Sequence, residues 1–437
     1  MVVELINTGS ELMLGRVLNT HQQWLCHRLA DLGYVVSRQV AVPDTGQDIQ
    51  QTLREALARA DLVITTGGLG PTSDDLTRDL LAQLLSRKLV EDAGVLAQIR
   101  SFFEIRNRPM PDRTRVQALV PEGATVLPNA HGTAPGLAIQ VNPNPFRADG
   151  RRSWIIMLPG PPRELRPMFM DTVAPLLRKI LPIESGFACR TLRTSGIGES
   201  LVQESIAPAL TSLVAAGLEL GYCARTGAVD VRLSALGSAG EKVVSEAEEI
   251  VRARLGNHIF GTESQELETV VIGLLSERGQ TLALAESCTG GLVSHLLTNV
   301  PGASAVLMAG LVTYSNSAKE KFLGVKSETL AQHGAVSEAV AREMAEGARR
   351  QIGADYALSI TGIAGPSGGA LNKPVGTVFI GLAAPAKTMV ERRFNPYDRE
   401  TFKQVTAQQA LELLRRNVLG LESKPLSISS SQLSSPR

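Results

Sequence analysis

The run Thr281–Glu286 is strand-like and passes into Ser287-Cys288-Thr289-Gly290-Gly291, after which a helical pattern starts at Leu292. A hydroxyl at such a turn is held on rigid backbone, and the free N–H groups of the next turn point toward whatever sits there. The placement suits a nucleophile beside an oxyanion hole. It equally suits a serine that merely caps the helix, and this segment alone leaves both readings open. Downstream comes Val312-Thr313-Tyr314-Ser315-Asn316-Ser317-Ala318-Lys319. No histidine lies in a comparable motif: His295 falls within a helical pattern and His333 precedes a glycine, as structural or solvent-facing residues do. A serine nucleophile without histidine needs another base, and a desolvated lysine of depressed pKa can serve. Lys319 is the candidate, with Tyr314 to relay or orient the proton. A third segment, Thr361-Gly362-Ile363-Ala364-Gly365-Pro366-Ser367-Gly368-Gly369, follows a strand pattern directly. A glycine-rich loop there lets backbone N–H groups approach a phosphate or a carbonyl.

A second constellation lies near the N-terminus. Thr65-Thr66-Gly67-Gly68-Leu69-Gly70-Pro71-Thr72-Ser73-Asp74-Asp75 follows a strand and opens a helix. Glycines allow a diphosphate to approach the backbone closely, and a carboxylate one turn on can hold the divalent cation that neutralises it. Asp74 and Asp75 are the candidate metal carboxylates. The competing reading is a helix N-terminus with acidic residues favourably placed against its dipole.

The elements that must position these residues alternate along the chain. Val2–Asn7, Tyr34–Val42, Leu62–Thr66 and Ser153–Pro159 read as strands; Leu14–Leu32, Asp48–Arg59 and Glu164 to about Leu181 read as helices. That order implies a parallel sheet covered by helices. Between Pro182 and Gly261 the pattern changes: Arg190–Ser195 and Val229–Ala235 look like exposed strands of alternating polarity, and Ser200–Ala215 and Ala239–Leu255 like helices. Glu266–Arg278, Ala335–Ile352 and Arg399–Leu419 read as helices of a further α/β layer, with strands at Thr281–Glu286, Val306–Tyr314, Tyr356–Ile360 and Val375–Ala383. The expected fold class is α/β, two three-layer α/β domains joined by a small α+β domain, with boundaries at 1–172, 173–261 and 262–420. Residues 421–437 are rich in Ser, Pro and Gln without apolar periodicity and read as a disordered tail.

Bulk properties exclude more than they assign. The 437 residues carry 44 basic and 43 acidic side chains, a net charge of +1. There is no basic excess for tracking a phosphate backbone, so direct nucleic-acid binding is not expected. Apolar residues make up 43% and aromatics only 4%, which calls for aliphatic cores. Cys26, Cys189, Cys223 and Cys288 form no CxxC pair, arguing against zinc or a disulfide framework. The N-terminus does not read as a signal peptide, and no apolar stretch reads as a membrane span, so a cytoplasmic location is expected.

The three C-terminal segments, in this order and spacing, closely resemble the C-terminal domain of the bacterial CinA (competence/damage-inducible) family, the nicotinamide-nucleotide amidase module, over roughly Glu266 to Leu419. The resemblance implies deamidation of nicotinamide mononucleotide, with Ser287 as nucleophile, Lys319 as base, Tyr314 and Thr361 as catalytic partners, and no cofactor. It implies that Thr289, Gly290, Gly291, Gly362, Gly365 and Arg399 bind substrate, with backbone N–H groups near Ser287 and the Thr361 loop holding the oxyanion. Lys403 stands where many relatives carry a second arginine; a lysine meets a phosphate as a point charge without the bidentate fork. The N-terminal loop, with Asn7-Thr8-Gly9-Ser10-Glu11, Gly132-Thr133-Ala134-Pro135-Gly136 and Leu158-Pro159-Gly160-Pro161-Pro162-Arg163-Glu164, resembles the molybdopterin-binding-like domain of the same family. There the resemblance implies hydrolysis of ADP-ribose with a divalent ion (Mg, Mn or Co). Substrate binding falls to Gly67, Gly68, Gly70 and Thr72, metal binding to Asp74 or Asp75, and Glu11 and Glu164 are secondary candidates. A homodimer is the expected assembly. The alternatives are a molybdopterin or nucleotide binder with little turnover, and a competence- or DNA-damage-associated protein without catalysis.

Overall fold

The computed structural model describes residues 1–183 and 186–421. The predicted tail beyond residue 421 lies outside the described residues. Two compact units emerge, one of residues 1–188 with 236–238, the other of residues 189–235 with the chain from 239 onward. The segments at 189–235 and 239–261 thus share a compact unit with the C-terminal segment.

In the first unit the order is β1 (Val3–Thr8), α1 (Ser10–Met13), α2 (Thr20–Asp31), β2 (Val36–Val42), α3 (Gly46–Leu57), β3 (Leu62–Thr66), α4 (Thr77–Leu84), β4 (Leu89–Glu91), α5 (Ala93–Glu104), β5 (Leu119–Pro121), β6 (Thr125–Leu127), β7 (Gly136–Val141), β8 (Ser153–Leu158), α6 (Pro162–Met168) and α7 (Ala174–Ile180). Six strands form one sheet in the order β2-β1-β3-β8-β7-β6. β2, β1, β3 and β8 run parallel; β7 and β6 add an antiparallel margin that the expected parallel sheet lacked. Strand periodicity builds the layers. Leu62 and Ile64 face Leu25, Leu29, Leu165 and Leu177, whereas Val63 faces Ile49, Leu53, Leu81 and Ile99 on the other side.

One helix boundary of the first unit needs correction. The helix expected from Leu14 begins only at Thr20, because Gly15 sits at φ +66 and the Asn19 side chain caps the helix by accepting from the Gln22 amide. Leu14, Val17 and Leu18, whose spacing suggested a buried helical face, are exposed. The helix expected over Glu164 to about Leu181 is present as continuous helical chain from Pro162 to Ile180, with a π-helical turn at Phe169–Val173 between α6 and α7.

The second unit starts with β9 (Phe187–Ser195), α8 (Glu199–Ala215), β10 (Leu218–Arg225), β11 (Ala228–Leu236), α9 (Gly240–Leu255) and β12 (Ile259–Thr262), in the sheet order β10-β11-β9-β12. Its strands are less exposed than their polarity predicts: Arg193, Thr194, Ser195, Asp230 and Ser234 are all buried. They pair internally, Arg193 with Asp230 at 3.1 Å and Thr194 Oγ1 donating to the Val229 carbonyl at 2.8 Å, which buried polar groups require. Then follow α10 (Leu267–Glu277), β13 (Leu282–Glu286), α11 (Leu292–Thr298), β14 (Leu307–Val312), α12 (Asn316–Leu323), α13 (Ser327–His333), α14 (Glu338–Ile352), β15 (Tyr356–Gly362), β16 (Thr377–Ala383), β17 (Thr388–Phe394) and α15 (Arg399–Val418). The sheet order is β14-β13-β15-β16-β17, with the first three strands parallel and the last two antiparallel. Leu282 and Leu284 face the aliphatic side of α10, α11 and α15; Ala283 and Ala285 face α12 and α14. No helix among the described residues is long and apolar enough to cross a membrane.

Candidate functional site

The chain leaves β13 for β14 on one side and reaches β15 on the other, so β13 ends at a topological switch, where ligand crevices open in α/β sheets. The register sets Glu286 beside Val312 and Ile360, which brings the ends of the three predicted segments together. Ser287 follows directly and is anchored by its amide, which donates to the Ile360 carbonyl at 3.0 Å.

Lys319 reaches this point from α12, whose first turn is capped by Ser315 accepting from the Ala318 amide. Only 1% of Lys319 is exposed. Its Nζ lies 3.1 Å from Ser287 Oγ, 2.9 Å from the Thr313 carbonyl and 3.3 Å from the Tyr314 carbonyl. Burial lowers its pKa from the ordinary 10.5, partly opposed by the neighbouring Cys288 thiol. A neutral amine keeps two N–H donors and one lone pair. In that neutral form, with the two carbonyls taking the donors, the lone pair would face Ser287 Oγ; the protonated amine donates to it instead.

Tyr314 plays a different part from the one expected. Its side chain is exposed and its hydroxyl accepts from Arg399 Nη2 at 2.8 Å, so it is the main-chain carbonyl, not the phenol, that orients Lys319. Thr361 is buried, and its hydroxyl donates to the Ala335 carbonyl at 2.8 Å, holding the strand end. Arg399 also donates to the Gly365 carbonyl at 2.8 Å, so it joins the Tyr314 and Gly365 loops across the mouth of the site. Lys403, one turn further along α15, brings its Nζ to 3.8 Å from where a side chain on Gly290 would begin. Lys403 therefore sits beside the serine loop, with Arg399 one turn before it on the same helix. A side chain on Gly362 would press within 2.9 Å of the Thr377 carbonyl, so its role is close strand packing.

The loop itself turns on Gly290 at φ +63 and Gly291 at φ +93, a left-handed pair that other residues seldom adopt. Inside it lies a residue the sequence reading did not single out. Glu286 is 1% exposed and accepts five hydrogen bonds, from Thr289 Oγ1, the Gly291, Val293 and Ser294 amides and Ser294 Oγ, at 2.7 to 3.2 Å. Thr289, expected to touch substrate, is fully buried and spends its hydroxyl here. The Gly291 amide is likewise taken. Among the described residues the Cys288 and Thr289 amides donate to no oxygen; both lie against the Cys288 thiol, a weak acceptor. The Cys288 thiol is buried and its pKa is pushed up to about 12, chiefly by desolvation.

In the first unit the predicted N-terminal residues surround a cavity of about 370 Å³. Gly67, Gly68, Gly70, Asp74 and Asp75 line it, together with Glu11, Asp44 and Glu164 from three other segments. Close packing explains the glycines: a side chain on Gly68 would meet Thr77 Oγ1 at 2.0 Å, and one on Gly70 would meet Asp75 Oδ2 at 2.3 Å. Thr72 does not line the cavity; its amide donates to Asp75 Oδ2 at 2.9 Å and its hydroxyl to the same oxygen, pinning the loop. Glu164 accepts from Asn129 at 2.8 Å, and Asp44 from the Ser10 amide at 2.8 Å. Among the described residues five carboxylates and no Lys, Arg or His face the cavity. An anionic ligand here needs a cation to offset that charge. Yet no three of the carboxylate, thiol or imidazole side chains among the described residues converge to hold a metal. The donor set fits a hard cation held by one or two carboxylates and completed by phosphate oxygens and water; it does not form an all-protein cage.

Three family models cover the chain. The CinA C-terminal domain matches residues 264–418, the Probable molybdopterin binding domain residues 4–179, and the Damage-inducible protein CinA KH domain residues 189–261. A CinA-like protein of Akkermansia muciniphila is 44% identical over 94% of this chain and 95% of its own length. A CinA-like protein of Kosmotoga olearia is 42% identical over 96% of this chain and all of its own. The crystal structure of the competence/damage inducible protein CihA from Agrobacterium tumefaciens is 41% identical, covering 34% of this chain and 91% of that one, with a TM-score of 0.33. On full-length identity and three matching modules, the chain belongs to the CinA family.

Proposed function

We propose that the site around Ser287 is a serine–lysine amidase that converts nicotinamide mononucleotide to nicotinic acid mononucleotide and ammonia. The observation that carries this reading is the buried Lys319 amine, 3.1 Å from Ser287 Oγ with both of its remaining donor positions held by carbonyls. Burial keeps the amine neutral at lower pH than an exposed lysine, which a general base requires. Ser287 Oγ attacks the carboxamide carbon while its proton passes to Lys319 Nζ. The tetrahedral oxygen takes hydrogen bonds from the Cys288 and Thr289 amides. The C–N bond breaks, Lys319 returns the proton to the leaving nitrogen, and ammonia departs. Water, deprotonated by Lys319, then cleaves the acyl ester and restores Ser287. Arg399 and Lys403 supply the positive charge that a nucleotide phosphate seeks. Ammonia release from the mononucleotide, with nicotinamide riboside and nicotinamide as controls, tests the reading. Turnover of the mononucleotide alone, abolished by Ser287→Ala, is the expected result; a folded wild-type chain without turnover refutes it.

For the N-terminal cavity the reading we favour is hydrolysis of ADP-ribose. The acidic, glycine-lined cavity supports it, since a diphosphate can enter only with a divalent ion. Such an ion would polarise the phosphoryl oxygens, held by Asp74 or Asp75, both of which also meet Thr72. Binding of a pterin in preference to ADP-ribose, without turnover, would favour the binder reading instead.

A further inference from the structure

We infer that Glu286 is a positioning residue of the amidase, acting through the serine loop to fix both the Ser287 hydroxyl and the pair of amides that receives the oxyanion. The inference rests on the amidase reading of the Ser287 site. Glu286 is the last residue of β13, and its carboxylate turns inward to collect donors at positions 289, 291, 293 and 294. Ser287 and Cys288 are the two residues enclosed between its own backbone and the first of those donors. The nucleophile is thus clamped from two directions, by the carboxylate on one side and by its amide bond to the Ile360 carbonyl on the other.

The clamp also divides the amides of the turn into two groups. Those of Gly291, Val293 and Ser294 point at Glu286 and are spent. Those of Cys288 and Thr289 donate to no oxygen and lie against the Cys288 thiol, a weak acceptor that an oxyanion outcompetes. Without the carboxylate, the three inner amides would compete for any anion in the site and the turn would lose the acceptor that defines its shape. A buried carboxylate is costly unless its oxygens are filled. Here five donors fill them, Oε1 taking the Ser294 amide and hydroxyl and Oε2 taking the other three. Charge-assisted bonds of this kind are about twice as strong as neutral ones.

Glu286→Gln tests the proposal with almost no change of shape. A glutamine presents one acceptor oxygen and an amino group with two donors. Whichever way it is turned, donors meet donors on one side, and the turn must shift. A displacement of about 1 Å in a catalytic group costs on the order of 100-fold. The expected result is therefore a kcat for ammonia release from nicotinamide mononucleotide lowered about 100-fold, with KM within about twofold of wild type. A fluorophosphonate should label Ser287 to the same final extent as in wild type but more slowly, by a similar factor. The proposal is overturned if kcat stays within about threefold of wild type, or if the loss of kcat merely equals the loss of labelled protein. Should Glu286→Gln not fold, the double variant Thr289→Val with Ser294→Ala removes two donors and keeps the charge. It should lower kcat about tenfold with KM unmoved, and an unchanged kcat overturns the proposal. Wild-type protein that releases no ammonia defeats the amidase reading alone, because the labelling rates compare loop geometry without that substrate.

Discussion

Replacing Lys319 with methionine separates catalysis from folding more cleanly than any other single change. Methionine has the length and flexibility of the lysine stem, so it fills the same slot beside Ser287. What it lacks is the base, whose removal costs about 100- to 10,000-fold in kcat. The stability balance is far smaller because two effects oppose each other. The Thr313 and Tyr314 carbonyls lose a donor, at about 1–3 kcal/mol for each that stays unsatisfied. Against this, the protein no longer has to desolvate an amine. In wild type the lowered pKa means that the unfolded chain holds a proton on Lys319 that the folded chain has lost, between the lowered value and the ordinary 10.5. Lys319 therefore makes stability rise with pH across that window, a slope the methionine variant loses. The same ionisation shapes activity: kcat/KM of wild type should climb with pH through the lowered lysine value and level off above it. Ammonia release from pH 6 to 11 and urea melts over the same range measure both. A variant that keeps more than about a tenth of wild-type kcat, or whose activity retains the alkaline climb, would refute Lys319 as the base.

Arg399→Ala should raise KM for nicotinamide mononucleotide about tenfold with kcat largely retained, as expected for lost phosphate binding; a fall in kcat at constant KM would place Arg399 in the chemistry instead. Cys288 adjoins the nucleophile, but with its thiol pushed up to about 12 it should resist iodoacetamide at pH 8 while the exposed Cys223 reacts. Peptide mapping that finds Cys288 alkylated in active protein would contradict this. Gly68→Ala puts a side chain at φ +68 and 2.0 Å from Thr77 Oγ1, so ADP-ribose hydrolysis should disappear while ammonia release persists. Survival of the diphosphatase in that variant would remove the Gly67–Gly70 loop from the site.

What the sequence made legible follows from where each signal is local. Strand–turn–helix order around Ser287 and the glycines at 67, 68, 290 and 291 can be read from neighbours alone. Lys319 was singled out by the absence of a histidine motif, although the short helix α12 carrying it went unrecognised between its Ser315 cap and Gly324. Tyr314 shows the limit: sequence exposes the phenol as the reactive group, while the working atom is a carbonyl oxygen whose direction depends on how β14 ends. Glu286 was passed over because an acidic residue at a strand end ordinarily faces water. The usable signal was the set of small donors behind it, a threonine at the third position, glycines at the fourth and fifth, and a serine at the eighth. The same inversion hid the middle strands, where Arg193 and Asp230 looked solvent-facing and instead satisfy one another inside. Periodicity assigns polar side chains to solvent, so it fails wherever polar groups are buried in pairs. A chain keeps such costly groups inside chiefly where a site or a specific packing requires them. Glu286, the misread position, and Lys319, the one read correctly, are accordingly the buried charged residues on which the proposed chemistry depends most.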